Sequence, residues 1–285
     1  MNSPLTAPEP ALLIIADISG YTRYMTANAK TLAHSQTLII ELVESLIHQV
    51  EAPLEVAKLE GDAIFLFCRQ PQDTARWQEI RADISRKLLA FFQCFRDKLV
   101  QLGRSNTCSC HGCTHLEKLR LKIVVHSGTV LFHRVLQFNE LAGTDVIIVH
   151  RLLKNSVKSD QYLLLTEAAR QELEFPETIS FKSSSETYDD LGRIQTAVHD
   201  FSFAAAPALA ETKKTFTTHY HESLRLKLRL WFAPFASRKK FENLPTANRS
   251  PAPVAFAVLT AVLTPIFVPV AAVLVIFHGL KTAKK

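Results

Sequence analysis

The sequence predicts an α+β fold, a sheet with helices laid on one face. Two observations carry it. Short apolar runs alternate with stretches of helical spacing in the order β-α-β-β-α-β-β-α-β-α-β-β. The chain also has 285 residues, 47% of them hydrophobic, enough for one sizeable domain and something smaller.

The first run, "ALLIIADISGYTRYM", reads as a strand buried on both faces from Ala11 to Ala16. It ends oddly, because Asp17 arrives before the chain breaks at Ser19-Gly20. Burying an unpaired carboxylate is costly, so Asp17 needs a cationic partner, a metal or a route to water. Leu32, Ile39, Val43, Leu46 and Val50 then recur at helical spacing until Pro53. "LEVAKLEGDAIFLFCR" reads as a hairpin turning at Glu60-Gly61. A long amphipathic helix follows, with Asp73 as its N-cap, and then a Cys/Gly/Ser-rich loop from Gly103 to Thr114. "LRLKIVVHSGTVLFHRVL" reads as two strands broken at Ser127-Gly128, and a helix starts after Gly143. "QYLLLTEAARQEL" gives a strand and a short helix capped by Thr166, and "ETYDDLGRIQTAVHDF" a closing hairpin.

Charge is unevenly spread. Residues 1–210 hold 21 Lys and Arg against 24 Asp and Glu, whereas residues 211–285 hold 12 against 3. The net +6 is therefore a property of the tail, which argues against a nucleic-acid-binding globular domain. The N-terminus lacks the charged and apolar pattern of a secretory signal, and five cysteines, three of them within six residues, do not resemble a disulfide framework. A reducing cytosolic setting is the expectation for the globular part.

Val254 to Phe277 is apolar except for two Thr. As a helix this stretch covers roughly 36 Å, enough to cross a bilayer with some tilt. A buried C-terminal helix and a pair of half-helices divided at Pro265 and Pro269 are the alternatives. Basic residues flank both ends, with more before the stretch than after it, which favours a cytosolic N-terminal side. The expectation is a domain over 11–205 with a Cys-rich insert at 103–117, a basic juxtamembrane linker over 206–253 and a transmembrane segment over 254–278. The implied location is the cell inner (cytoplasmic) membrane, with the domain facing the cytosol.

"KLEGD" puts Asp62 just after a turn glycine, so Asp17 and Asp62 converge if the first strand sits beside the hairpin. Paired hard oxygen ligands suit Mg²⁺ carrying a polyphosphate. "DISGYT", "KLEGD", "VVHSGTV" and "GTDVIIVHRL" together resemble the class III nucleotidyl cyclases, in order and in approximate spacing. Those enzymes carry D-I/L-x-G-F/Y-S/T, K-x-x-G-D, H-x-G-x-V and G-x-x-V-N-x-A-x-R-L/M. The resemblance covers about Leu12 to Leu173. The chain is also similar to a bacterial cyclase-like family of unknown function that carries a C-x-C-x-x-C insert.

The resemblance implies a ferredoxin-like βαββαβ cyclase homology domain with added strands. It makes Asp17 and Asp62 ligands of Mg²⁺ or Mn²⁺, so that a metal rather than a neighbouring side chain serves Asp17. Ile18, Ser19, Gly20, Tyr21 and Thr22 match the segment whose amides receive the phosphates of a nucleoside triphosphate. Lys58 and Glu140 match the pair that reads the base, and Arg151 the arginine that stabilises charge at the transferring phosphoryl group. A homodimer with interfacial sites is implied. One departure matters: the family's ribose-holding asparagine is Ile147 here. The implied function is a membrane-anchored cyclase, and the alternative is a catalytically inactive nucleotide-binding or signalling module. A scaffold built around the Cys cluster and tail is a third reading.

In the Cys-rich loop, Cys108, Cys110 and Cys113 with His115 would complete a tetrahedral Zn²⁺ site, although the spacing is tighter than usual. An iron–sulfur cluster, a redox-active thiol group and an unliganded loop are the alternatives. His126, at a strand end, reads as a packing or hydrogen-bonding group.

Overall fold

Continuous burial of the first apolar run places it in the middle of the sheet, and strand β1 (Glu9–Ser19) does lie there, with Leu12 to Ile15 fully buried. The computed structural model describes residues 7–28, 32–105 and 115–201, all within one unit, Met1–Ser223. The expected linker and membrane segment and Cys108, Cys110 and Cys113 lie outside these residues. Among the described residues no helix is long and apolar enough to cross a membrane.

After β1 come α1 (Tyr21–Ala27), α2 (Leu32–Ile47), β2 (Glu55–Glu60), β3 (Ala63–Arg69) and α3 (Thr74–Ser105). A 3-10 turn, Leu116–Lys118, leads into β4 (Arg120–Val135) and β5 (Phe138–Ala142). The chain continues through α4 (Thr144–Arg151), β6 (Tyr162–Thr166), α5 (Glu167–Glu172), β7 (Lys182–Tyr188) and β8 (Gly192–Asp200). The strand order is β2-β3-β1-β4-β6-β8-β7, with β5 paired to the outer half of β4. β4 and β6 run parallel, and the other pairs are antiparallel.

Local signals account for several boundaries. The Asp73 carboxylate accepts from the amides of Ala75 and Arg76 and caps α3. The Thr166 hydroxyl accepts from the Ala169 amide and caps α5. Gly61, at φ +70°, makes the tight β2–β3 turn that a side chain would strain.

Helices cover both faces of the sheet, which corrects the one-face expectation. Leu13 and Ile15 pack with Phe65, Val124 and Leu164 against Val149 and Leu152, on and just after α4. By strand alternation Leu12 and Ile14 face the other way, toward the layer of α2 and α3. These two helices are tied together by Lys98 Nζ to Glu41 Oε2 at 2.8 Å and by the Cys94 thiol donating to the Ser45 carbonyl at 3.3 Å. A helical stripe shows that a helix is half-buried, but not which side of a sheet buries it.

A second correction concerns β4, one strand that runs straight through Ser127-Gly128, with the chain turning at Leu136 (φ +55°) instead. Gly128 serves a contact rather than a turn, because a Cβ there would fall on the Asp145 carboxylate. Asp145, in the first turn of α4, accepts from the Thr129 amide and from His126 Nε2 at 2.9 Å. Thr166 Oγ1 lies 2.9 Å from His126 Nδ1, so the imidazole is hydrogen-bonded through both ring nitrogens. His126 is thus a buried link between β4, α4 and β6, as its hydrogen-bonding reading expected. Burial alone would raise the Asp145 pKa, but hydrogen bonds from His126 and Thr129 outweigh it and hold the carboxyl below its ordinary value.

Gly128→Ala should destabilise the fold by about 2–4 kcal/mol in urea denaturation, as overpacking that also disrupts a polar network. Gly128→Ala with Asp145→Gly should cost less than the sum of the two single changes, because every atom the new Cβ would overlap belongs to the Asp145 side chain and is removed with it. The Asp145 contribution is present above the ordinary carboxylate pKa and is lost as acid protonates the group, so Asp145→Asn should flatten the acid limb of a stability–pH curve.

Candidate functional site

The antiparallel register decides which groups meet Asp17. On one side Asp17 lies opposite Ala63, so the β2–β3 turn carries Asp62 alongside it. On the other side it lies opposite Lys122 of β4, whose Nζ is 2.8 Å from Asp17 Oδ2. Side-chain exposure is 19% for Lys122 and 16% for Asp17, so water screens the pair weakly. The expected convergence of Asp17 and Asp62 is present. The expectation that no neighbouring side chain serves Asp17 is not met, because Lys122 is a direct cationic partner.

The electrostatics reflect two acids sharing one base. Asp62 is pushed up to about 7, first by burial and then by the charge of Asp17 and the close approach of the two carboxyl groups. Burial works against the charge on Lys122, yet the hydrogen bond to Asp17 and that carboxylate's charge raise its pKa overall. Tyr162 and Tyr21 border the same acids, and both phenols are raised, chiefly by burial.

The segment after Asp17 turns sharply. Ile18 is buried, Ser19 Oγ donates to Asp160 Oδ1 at 3.5 Å, and Gly20 adopts φ +88° before Tyr21 and Thr22 open α1. Lys58 and Glu140 are far apart in sequence but line one cleft of about 140 Å³, together with Glu60, Phe65, Asn139 and His150. β5 folds back along β4 to bring Glu140 there. His150 Nδ1–H donates to the Val146 carbonyl at 2.8 Å, while Nε2 lies 3.4 Å from Glu60 Oε1 and the ring meets Phe65 edge-on.

Arg151 ends α4 and pairs with Asp190 Oδ2 at 2.7 Å, each side chain half-exposed. Ile147, one turn earlier, is 51% exposed. His115 precedes the 3-10 turn before β4. Sequence reading missed Lys122, Glu60 and His150. The only trace of Lys122 was a charge between apolar residues in "RLKIVV".

Two carboxylates are hard oxygen donors, and their mutual repulsion is what a divalent cation relieves, so Asp17 and Asp62 fit Mg²⁺ or Mn²⁺. Among the described residues no cluster of three His, Cys, Asp or Glu side chains forms a metal cage. Mg²⁺ needs no such cage, because water and phosphate oxygens complete its shell.

The family described as "Protein of unknown function (DUF2652)" matches residues 39–162. The "Uncharacterized protein Rv2561/Rv2562" of Mycobacterium tuberculosis (strain ATCC 25618 / H37Rv) is 31% identical over 166 residues, 58% of this chain and 74% of that protein. Among solved structures, the adenylyl cyclase CyaB from P. aeruginosa aligns over 68% of this chain and 94% of its own, at 12% identity and TM-score 0.51. A bacterial light-regulated adenylyl cyclase aligns over 79% of this chain and 57% of its own, at 14% identity and TM-score 0.50. The fold is that of the class III cyclase domains.

Because Asp62 binds its proton more tightly in the fold than in the unfolded chain, its contribution is greatest below its unfolded pKa and is lost as pH rises toward 7. In metal-free buffer the urea midpoint of the full chain should therefore fall between about pH 4 and 7. Asp62→Asn should flatten that slope, and an unchanged slope would exclude Asp62 as its source.

Proposed function

We infer the function of this chain, which belongs to the family of the mycobacterial relative, from one observation: Asp17 and Asp62 converge at the end of a central strand in a cyclase fold. It is a class III nucleotidyl cyclase-like protein that converts a nucleoside triphosphate to a cyclic nucleotide and pyrophosphate. In that reaction the ribose 3′-oxygen bonds to the α-phosphorus as the bond to the departing pyrophosphate breaks, and the hydroxyl proton passes to solvent. Asp17 and Asp62 would hold Mg²⁺ or Mn²⁺, whose chemistry is to acidify the hydroxyl and neutralise phosphate charge.

The chain's own groups divide the remaining work. Amides of Ile18 to Thr22 donate to phosphate oxygens. Lys58 donates to, and Glu140 accepts from, the edge of the base in the cleft they share. Arg151 offers its planar donors to the α-phosphate after leaving Asp190, a half-exposed pair worth only about 0–1 kcal/mol.

A homodimer that completes each site across its interface accords with the apolar groups left exposed, Ile147 on α4 and Val135, Leu136 and Phe138 at the β4–β5 turn. Anchoring of the domain to the cytosolic side of the inner membrane through 254–278 is supported by the apolar composition of that stretch. A structural zinc on Cys108, Cys110, Cys113 and His115 rests on ligand type and number alone.

Ile147 favours a second reading, in which the chain holds a triphosphate without turning it over, because its side chain has no hydrogen-bond donor for the ribose. The full chain with each nucleoside triphosphate and Mn²⁺ should release pyrophosphate slowly, and Asp17→Ala should abolish that release. Ile147→Asn should raise the rate about 10²–10³-fold by restoring one transition-state donor. Metal-dependent binding with no product in either protein would support the binding module instead.

A further inference from the structure

Lys122 lies inside the candidate metal site, although it was not among the residues expected to form it. Its ammonium is 2.8 Å from Asp17 Oδ2, directly across the β1–β4 ladder, and both side chains are mostly buried. Fully buried Leu121 and Ile123 flank it on β4 and fix the backbone that presents it. Asp62 and the Tyr162 phenol border the same ammonium. A divalent ion that takes Asp17 as a ligand therefore meets a resident positive charge a few ångströms away, in a place where water screens it poorly.

We propose that Lys122 is a built-in competitor for the divalent cation, occupying Asp17 until a triphosphate arrives with its own metal. This rests on the reading of Asp17 as a metal ligand. The ammonium compensates the carboxylate in the metal-free protein, as a buried anion requires. It also makes binding of the free cation weak. A triphosphate contributes several negative charges and oxygen ligands, which offset the ammonium, so metal and nucleotide bind together more readily than the metal alone. Lys122 thus gates metal entry and couples it to substrate.

The test titrates free Mn²⁺ by electron paramagnetic resonance into the full chain, with circular dichroism confirming that each variant is folded. Lys122→Met should tighten Mn²⁺ binding at least tenfold. Lys122→Arg, which keeps the charge and the pairing, should bind as weakly as the wild type and stands in where Met prevents folding. Adding a non-hydrolysable triphosphate analogue should narrow the gap between wild type and Lys122→Met. Equal or weaker Mn²⁺ binding in Lys122→Met, with binding still lost in Asp17→Asn, would overturn the gate but leave the metal site standing. Tighter binding in Lys122→Arg would overturn it in the same way. Absence of Mn²⁺ binding in every protein, with or without the analogue, would overturn both the gate and the metal reading beneath it.

Discussion

A carboxylate at the end of a strand buried on both faces is the constraint on which this site depends. β1 earns its central place through Leu12 to Ile15, which have no exposure at all, and the same strand then delivers Asp17 between β3 and β4. Antiparallel pairing on both sides leaves little freedom. It sets Lys122 opposite Asp17 and swings the β2–β3 turn so that Asp62 shares the space. Two acids and one ammonium form an assembly short of positive charge, and the raised pKa of Asp62 expresses that shortage.

The second half of the site depends on how α4 is seated. Gly128 leaves room for the Asp145 carboxylate, which binds the Thr129 amide and His126 and so joins the start of α4 to β4. From there the helix presents Ile147 and Arg151 outward while Val149 and Leu152 close over the sheet. Glu60, Lys58, Glu140 and His150 gather where β2, β5 and α4 approach one another. The acids at the strand end thus stand apart from the cleft, and the basic groups of α4 are already engaged, Arg151 with Asp190 and His150 with Glu60.

Local chemistry made much of this legible. A continuous apolar run specified β1, a Gly-Asp turn specified the β2–β3 hairpin, and Asp73 and Thr166 announced their helices. Long-range geometry was the part that stayed hidden. Ser127-Gly128 resembles a break in sequence, whereas the glycine answers to a carboxylate sixteen positions beyond Thr129. Alternation in "LRLKIVV" cannot distinguish a solvent-facing lysine from one in register with Asp17, because that distinction belongs to the pairing of two strands. The pairing of Glu60 with His150 is equally a product of packing, since neither residue has a local reason to find the other.

Metal-dependent nucleotide binding is the central claim, and isothermal titration calorimetry of the full chain with a non-hydrolysable triphosphate analogue tests it without asking for turnover. The account predicts saturable binding in Mg²⁺ that is lost in chelator and in the Asp17→Asn, Asp62→Asn double variant. Binding that is indifferent to both metal and carboxylates, or no binding under any of these conditions, would contradict it.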